Sequence, residues 1–197
     1  MDAAMKMARQ YFMEMVPPQP NRIRFIARSE SYHGNTLGAL GMSGHKARRA
    51  IYEPMLSPLV THVAACNAYR GLRAEETVQD YVKRLASELD AEFQRVGPDT
   101  VCAFVAEPVV GAALGCVPSL PGYFKAMKKI CDKYGALLIL DEVMSGMGRT
   151  GTLYAWEQED VVPDLQTMGK GLGGGYVPIA GLMINHRVID VLEKGTG

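Results

Sequence analysis

Val101-Cys102-Ala103-Phe104-Val105-Ala106-Glu107-Pro108 and Ala136-Leu137-Leu138-Ile139-Leu140-Asp141-Glu142 are the two stretches whose reading decides the fold. Each is a short apolar run that breaks off at an acid. A strand with one wet face alternates apolar and polar residues, whereas an unbroken run fits a strand covered on both faces, as in a parallel sheet. Between the two runs, residues 121–134 read as a helix, opened by Pro121 and closed by Gly135, with Tyr123, Met127, Ile130 and Tyr134 on one side. Strand, helix and strand in this order make a βαβ unit with a right-handed crossover.

The pattern continues outward. Residues 75–96 carry Val78, Val82, Leu85, Leu89, Phe93 and Val96 at spacings of three and four, a helical stripe that Gly97-Pro98 stops. Residues 2–15 read as another helix, ended by Pro17, Pro18 and Pro20. Ile23, Phe25 and Ala27 alternate with Arg22, Arg24 and Arg28, which predicts a strand with one wet face. Residues 50–73 show no period and read as loop. Strands over Leu165–Met168 and residues 179–184 precede a terminal helix from His186. The fold class is α/β, a mostly parallel sheet flanked by helices.

Composition narrows the function. The 197 residues hold 21 Lys+Arg and 21 Asp+Glu, so the formal net charge is zero and gives no footprint for nucleic acid or an anionic membrane. With 48% hydrophobic and 21% charged residues the chain is globular in composition. No apolar run reaches membrane-spanning length, and Asp2 behind Met1 with no apolar segment predicts no signal peptide. Cys66, Cys102, Cys116 and Cys131 form no C-x-x-C, and only His62 and Cys66 lie close together, so a zinc site is not completed. Buried free thiols and an intracellular, cytoplasmic location are the expectation.

Three predicted strands end in polar, reactive residues: Glu107, Asp141-Glu142, and Gly169-Lys170-Gly171. Ligands of open α/β sheets bind outside the carboxyl ends of strands. Glu107 reads equally as a turn residue before Pro108, and Asp141 as a helix N-cap or a structural ion pair. Lys170 lacks the Ser/Thr successor of a phosphate-binding P-loop. Two G-x-G-x-x-G matches exist, Gly146/Gly148/Gly151 and Gly169/Gly171/Gly174, and they keep a nicotinamide-nucleotide oxidoreductase among the alternatives. The other reading is a lysine amine in a slot cleared by glycines, able to form a Schiff base, with an acid such as Asp141 to pair a protonated pyridine nitrogen.

The segments Ser31-Tyr32-His33-Gly34-Asn35-Thr36, Ala106-Glu107-Pro108, Leu140-Asp141-Glu142-Val143-Met144-Ser145-Gly146-Met147-Gly148-Arg149-Thr150-Gly151 and Met168-Gly169-Lys170-Gly171-Leu172-Gly173-Gly174-Gly175-Tyr176-Val177-Pro178 occur in one order and together resemble the class III, ornithine- or omega-type aminotransferases. These are pyridoxal 5'-phosphate enzymes of fold type I. The resemblance implies that Lys170 holds the cofactor as an internal aldimine and then shuttles the proton. It also implies that Asp141 bonds the pyridine nitrogen, that Tyr32 and Val143 flank the ring, and that Glu107 lies beside it. His33 matches the motif, and its own reading is a hydrogen-bonded neighbour of the loop. Arg149 reads equally as structural or ligand-binding. The implied reaction moves an amino group from an amino donor to a 2-oxo acid, and the implied assembly is a homodimer.

The sequence departs from the family where members acting on ornithine, acetylornithine or 4-aminobutyrate often carry an arginine, here Asn35, and a glutamine, here Met144. Residues 1–197 correspond to a single, partial cofactor-binding large domain. The phosphate-cup turn is expected before residue 1 and the small domain after residue 197, and Thr196 is not assigned the family's phosphate-binding threonine. The resulting expectation is an unfinished sheet edge and weak activity. The alternative from another class is a non-catalytic piece that acts only by associating with a full-length subunit.

Overall fold

The computed structural model describes residues 1–195; Thr196 lies outside the described residues. Seven helices are described, α1 (Asp2–Glu14), α2 (Leu37–Met42), α3 (Lys46–Arg49), α4 (Ala68–Gly71), α5 (Val78–Val96), α6 (Tyr123–Lys133) and α7 (His186–Leu192). The strands are β1 (Arg24–Arg28), β2 (Val60–Val63), β3 (Val101–Ala106), β4 (Val109–Val110), β5 (Val117–Pro118), β6 (Leu137–Asp141), β7 (Leu165–Met168) and β8 (Gly181–Ile184). A six-stranded sheet runs β2-β1-β3-β6-β7-β8, and β4 and β5 form a separate small ribbon. All neighbours in the large sheet are parallel except β7 and β8.

The unbroken apolar runs have the cause expected of them. Along β6, Leu138 and Leu140 pack with α5 and α6 on one face, while Leu137 and Ile139 pack with α1 and α7 on the other. Every residue of β3 and β6 is buried. Each large apolar side chain removed from water there contributes about 1.5–3 kcal/mol. The stripe of α5 buries Tyr81, Val82, Leu85, Leu89 and Phe93, Thr77 caps its first turn, and Gly97 at φ 92° ends it. The result is three layers, with helices on both faces of the sheet.

Two local readings are corrected. The strand at residues 24–28 has no wet face. It lies between β2 and β3, and Arg22 and Arg28 are 6% and 1% exposed. Arg22 donates to the carbonyls of Val101 (2.6 Å) and Tyr134 (2.8 Å) and stacks over Phe12. Arg28 donates to the Glu107 carbonyl and lies over the Tyr123 and Phe124 rings. Charge alternation marks a polar face, and here protein carbonyls and aromatic faces take the place of water. Residues 50–73 are also not all loop. They contain edge strand β2, paired with β1 from Phe25–Val60 to Arg28–Val63, and the short α4. Four residues in the order Val-Thr-His-Val are too few to set a period. Three cysteines are buried free thiols as expected, and Cys116 is exposed.

The strand order places the site. The chain passes from β1 to β2 on one side and returns to β3 on the other, so the sheet order reverses between β1 and β3. A crevice opens at the carboxyl ends of strands on either side of such a switch. The loop carrying Tyr32 and His33 follows β1, Glu107 follows β3, Asp141 ends β6, and Lys170 follows β7 by two residues.

Candidate active site

A cavity of about 510 Å³ lies over these strand ends, and Tyr32, His33, Glu107, Asp141, Val143 and Lys170 all line it. The residues singled out from the sequence therefore converge, although Tyr32 and Lys170 stand far apart in the chain. Arg48 and Met144 complete two further parts of the wall.

Asp141 is the last residue of β6 and 5% exposed. Its Oδ2 lies 2.8 Å from His33 Nδ1, and its Oδ1 accepts from Thr167 Oγ1 (3.0 Å) and the Val143 N–H (3.1 Å). An ionised carboxylate only accepts, so Nδ1 is the protonated nitrogen of that contact. Burial alone would push the Asp141 carboxyl up. The His33 ring, the Val143 amide and the Thr167 hydroxyl outweigh burial and hold it below its ordinary value. The group is thus an anion in a nearly dry place.

His33 is buried and hydrogen-bonded at both its backbone and its ring, as its reading as a hydrogen-bonded neighbour of the loop expects. Its backbone N–H donates to Ser43 Oγ (2.7 Å), and its ring steadies Asp141. Glu107, 5% exposed, is a clamp: Oε1 accepts from the Tyr32 N–H (2.9 Å) and Oε2 from the Gly111 N–H (3.3 Å). It is more than a turn residue, because it ties the loop after β1 to the loop after β3.

Lys170 is exposed and makes no hydrogen bond or ion pair among the described residues. It stands at φ 44°, in the left-handed region that non-glycine residues rarely occupy. It also lines a second cavity of about 620 Å³ with Met147, Arg149 and glycines 171, 174 and 175, so its side chain forms the wall between two spaces. Arg149 is exposed there.

Neither glycine pattern has the setting of a dinucleotide fingerprint. Gly146/Gly148/Gly151 leads to a short 3-10 turn over Ala155–Glu159, and Gly169/Gly171/Gly174 leads through another over Lys170–Gly173 to β8. The fingerprint needs a helix whose N-terminus meets the pyrophosphate. Among the described residues no group of His, Cys, Asp and Glu could hold a metal ion, and no helix is long and apolar enough to cross a membrane.

Sequence reading missed Thr167, Ser43 and Arg48. Thr167 was legible only as the penultimate residue of a strand. Arg48 had one signal, the basic run Lys46-Ala47-Arg48-Arg49.

The family described as Aminotransferase class-III matches residues 1–197. The chain is 62% identical over 198 residues to an aminotransferase of Gibberella zeae, a match that covers 100% of this chain and 39% of that protein. It is 51% identical over 193 residues to an uncharacterized aminotransferase of Schizosaccharomyces pombe, covering 98% of this chain and 42% of that one. The solved (S)-enantioselective omega-transaminase from Thermomicrobium roseum superposes with a TM-score of 0.90 at 38% identity, over 98% of this chain and 42% of that chain. The omega transaminase from Pseudomonas jessenii in complex with PMP gives a TM-score of 0.90 at 32% identity, over 98% of this chain and 42% of that one. The chain belongs to the class III aminotransferases. It spans about two fifths of the length of these relatives.

Proposed function

We propose that this chain supplies the ring site and the reactive lysine of a pyridoxal 5'-phosphate-dependent aminotransferase, which moves an amino group from an amino donor to a 2-oxo acid. The observation that carries the reading is the pairing of Lys170, an uncommitted amine, with Asp141, a buried carboxylate held anionic, on one cavity.

The residues fit the cofactor's ring. A protonated pyridine nitrogen needs a desolvated anion, and Asp141 keeps lone pairs beyond those used by His33, Thr167 and Val143. An aromatic and a branched apolar side chain, Tyr32 and Val143, line the same space and suit the two faces of a flat ring. When bound, the cofactor draws electrons from the amine-bearing carbon of the substrate. Lys170 would hold it through its amine and would take and return the proton at that carbon. Asp141 would keep the ring nitrogen protonated, His33 fixes the direction of the Asp141 carboxylate, and Glu107 fixes the Tyr32 backbone. A homodimer and an intracellular setting belong to the same reading. Exposed Tyr176, Val177 and Ile179 follow the Lys170 turn and suit burial by a second subunit, and buried free thiols suit a reducing compartment.

The test is chemical. The chain is incubated with pyridoxal 5'-phosphate, reduced with borohydride, and mapped by mass spectrometry. The expected adduct is on Lys170, and Lys170→Ala should lose it with an unchanged circular dichroism spectrum. Lys170→Arg should not restore it, because a guanidinium stays protonated. A wild-type adduct confined to another lysine, or none, overturns the reading. Before reduction the Schiff base absorbs visible light, and that absorbance separates the reading from a non-catalytic piece that only associates with a full-length subunit.

A further inference from the structure

Glu142 is a buried acid that none of the roles above uses. Its neighbour Asp141 lines the cavity; Glu142 does not, and is 1% exposed. No Lys, Arg or His pairs with it among the described residues, and burial pushes its carboxyl up. A buried acid without a cation is costly and is tolerated only where donors meet its oxygens.

Those donors come from the two ends of one loop. Oε2 accepts from Ser145 Oγ at 2.5 Å and Oε1 from the Trp156 N–H at 3.1 Å. The Glu142 carbonyl takes the Gly146 N–H (2.9 Å), and a Cβ at Gly146 would stand 2.8 Å from that oxygen, so the turn closes at glycine distance. The far end is tied to β7 as well, because the Trp156 indole N–H donates to Gln166 Oε1 (2.6 Å). Glu142 thus clasps residues 143–156 into a closed loop.

The Lys170 turn rests on that loop. A Cβ at Gly171 would stand 3.1 Å from the Met147 Cβ, and one at Gly169 would stand 3.4 Å from Val143 Cγ1. The two glycines that flank Lys170 therefore pack directly on loop residues. The Tyr154 hydroxyl, from the same loop, lies 3.4 Å from the sulfur of Met168, which comes two residues before the lysine. Lys170 stands at φ 44°, and its side chain makes no hydrogen bond or ion pair among the described residues. A backbone in so sparsely populated a region persists only where its surroundings fix it, and this loop is such a surrounding.

We propose that Glu142 is a positioning residue for Lys170: by closing the 143–156 loop it fixes the turn that presents the lysine amine to the cavity. The role of that amine rests on the aminotransferase reading; the hold on the turn does not.

Three variants separate positioning from stability. Glu142→Leu keeps the bulk and removes both acceptors. Glu142→Gln keeps the clasp, since its oxygen accepts from the Trp156 N–H and its amide donates to the Ser145 hydroxyl. Ser145→Ala releases one arm alone. Each is read by peptide-resolved amide hydrogen exchange without cofactor, and by absorbance titration with pyridoxal 5'-phosphate, with the Lys170 adduct mapped as above. Glu142→Leu is expected to speed exchange of residues 143–156 and 169–174 together by about 10- to 100-fold, the range for two lost hydrogen bonds, and to leave residues 101–106 unchanged. It should weaken adduct formation on Lys170 about 10-fold or more, as for a misplaced reacting group. Ser145→Ala should produce the same paired change at about 3- to 10-fold, the range for one hydrogen bond. Glu142→Gln should match wild type in both readouts. Faster exchange confined to residues 143–156, with the 169–174 turn and the adduct unchanged, overturns the proposal. So does a Glu142→Gln chain that behaves like Glu142→Leu, which would make charge rather than the pair of acceptors the cause. If Glu142→Leu unfolds, exchange rises in residues 101–106 too and Ser145→Ala decides: no change at 169–174 overturns the proposal. Failure of wild type to form the Lys170 adduct refutes the aminotransferase reading separately, while exchange at 169–174 still decides the positioning.

Discussion

Replacing Asp141 tests the centre of the site, and two substitutions separate its structural from its chemical role. Asp141→Ala strands three donors at once, His33 Nδ1 (2.8 Å), Thr167 Oγ1 (3.0 Å) and the Val143 N–H (3.1 Å). A buried donor without a partner costs about 1–3 kcal/mol, so the three together cost about 3–9 kcal/mol. Water from the adjoining cavity can reach the site and favours the lower end, about 3 kcal/mol. That is still a large share of the roughly 5–15 kcal/mol that stabilises a domain. Asp141→Asn keeps an acceptor for Thr167 and Val143 and nearly the same volume. It exchanges one charge-assisted contact with His33 for a neutral one, a loss of about 1–2 kcal/mol. Urea unfolding followed by circular dichroism at pH 7 should rank wild type above Asn and Asn above Ala. The pH arm has a defined sign. The folded carboxyl titrates below its ordinary value, so its stabilisation is complete above the ordinary carboxylate range and is lost as pH falls through the lower, folded value. The advantage of wild type over Asp141→Asn should therefore shrink only in that acid window. In the half-reaction with cofactor, Asp141→Asn should lose at least about a hundredfold, the scale of one preorganised electrostatic group. An Asp141→Ala chain within about 0.5 kcal/mol of wild type would refute the hydrogen-bond reasoning, being the spread of an inconsequential surface change.

The turn at Lys170 gives a second comparison: since its φ is 44°, Lys170→Gly should be up to about 1 kcal/mol more stable than Lys170→Ala in the same urea assay, reversing glycine's usual disadvantage. A methyl at Gly111 would meet the Met144 thioether, the far end of a flexible, half-buried side chain that can swing aside, so Gly111→Ala should cost no more than about 1 kcal/mol, the low end of overpacking, and Met144→Ala should remove that cost, read as coupling in a double-mutant cycle. Glu142, 1% exposed, accepts from Ser145 Oγ and the Trp156 N–H, yet burial pushes its carboxyl up. A raised folded value means stability falls as pH rises from the unfolded value through the folded one, so Glu142→Gln should gain on wild type over that interval, opposite in direction to Asp141→Asn.

The sequence by itself determined the class of fold and the positions of the candidate site residues along the chain. Val101–Ala106 and residues 136–140 are apolar without alternation, which fits strands covered on both faces. Their terminal acids, and Lys170 after Leu165–Met168, were legible as strand-end groups, because a polar residue that breaks a buried run has to emerge where the sheet stops. The tertiary structure decided which of these ends meet. His33 and Asp141 lie 108 residues apart and touch only because β1, β3 and β6 are laid side by side. It also reversed the meaning of Arg22 and Arg28, and it brought Arg48 onto a cavity whose other walls come from four strand ends. The reason is that local periodicity reports whether a position is covered, while the identity of the covering group is set by sheet order. That order is stored in the packing of both faces at once, as a non-local property of the chain.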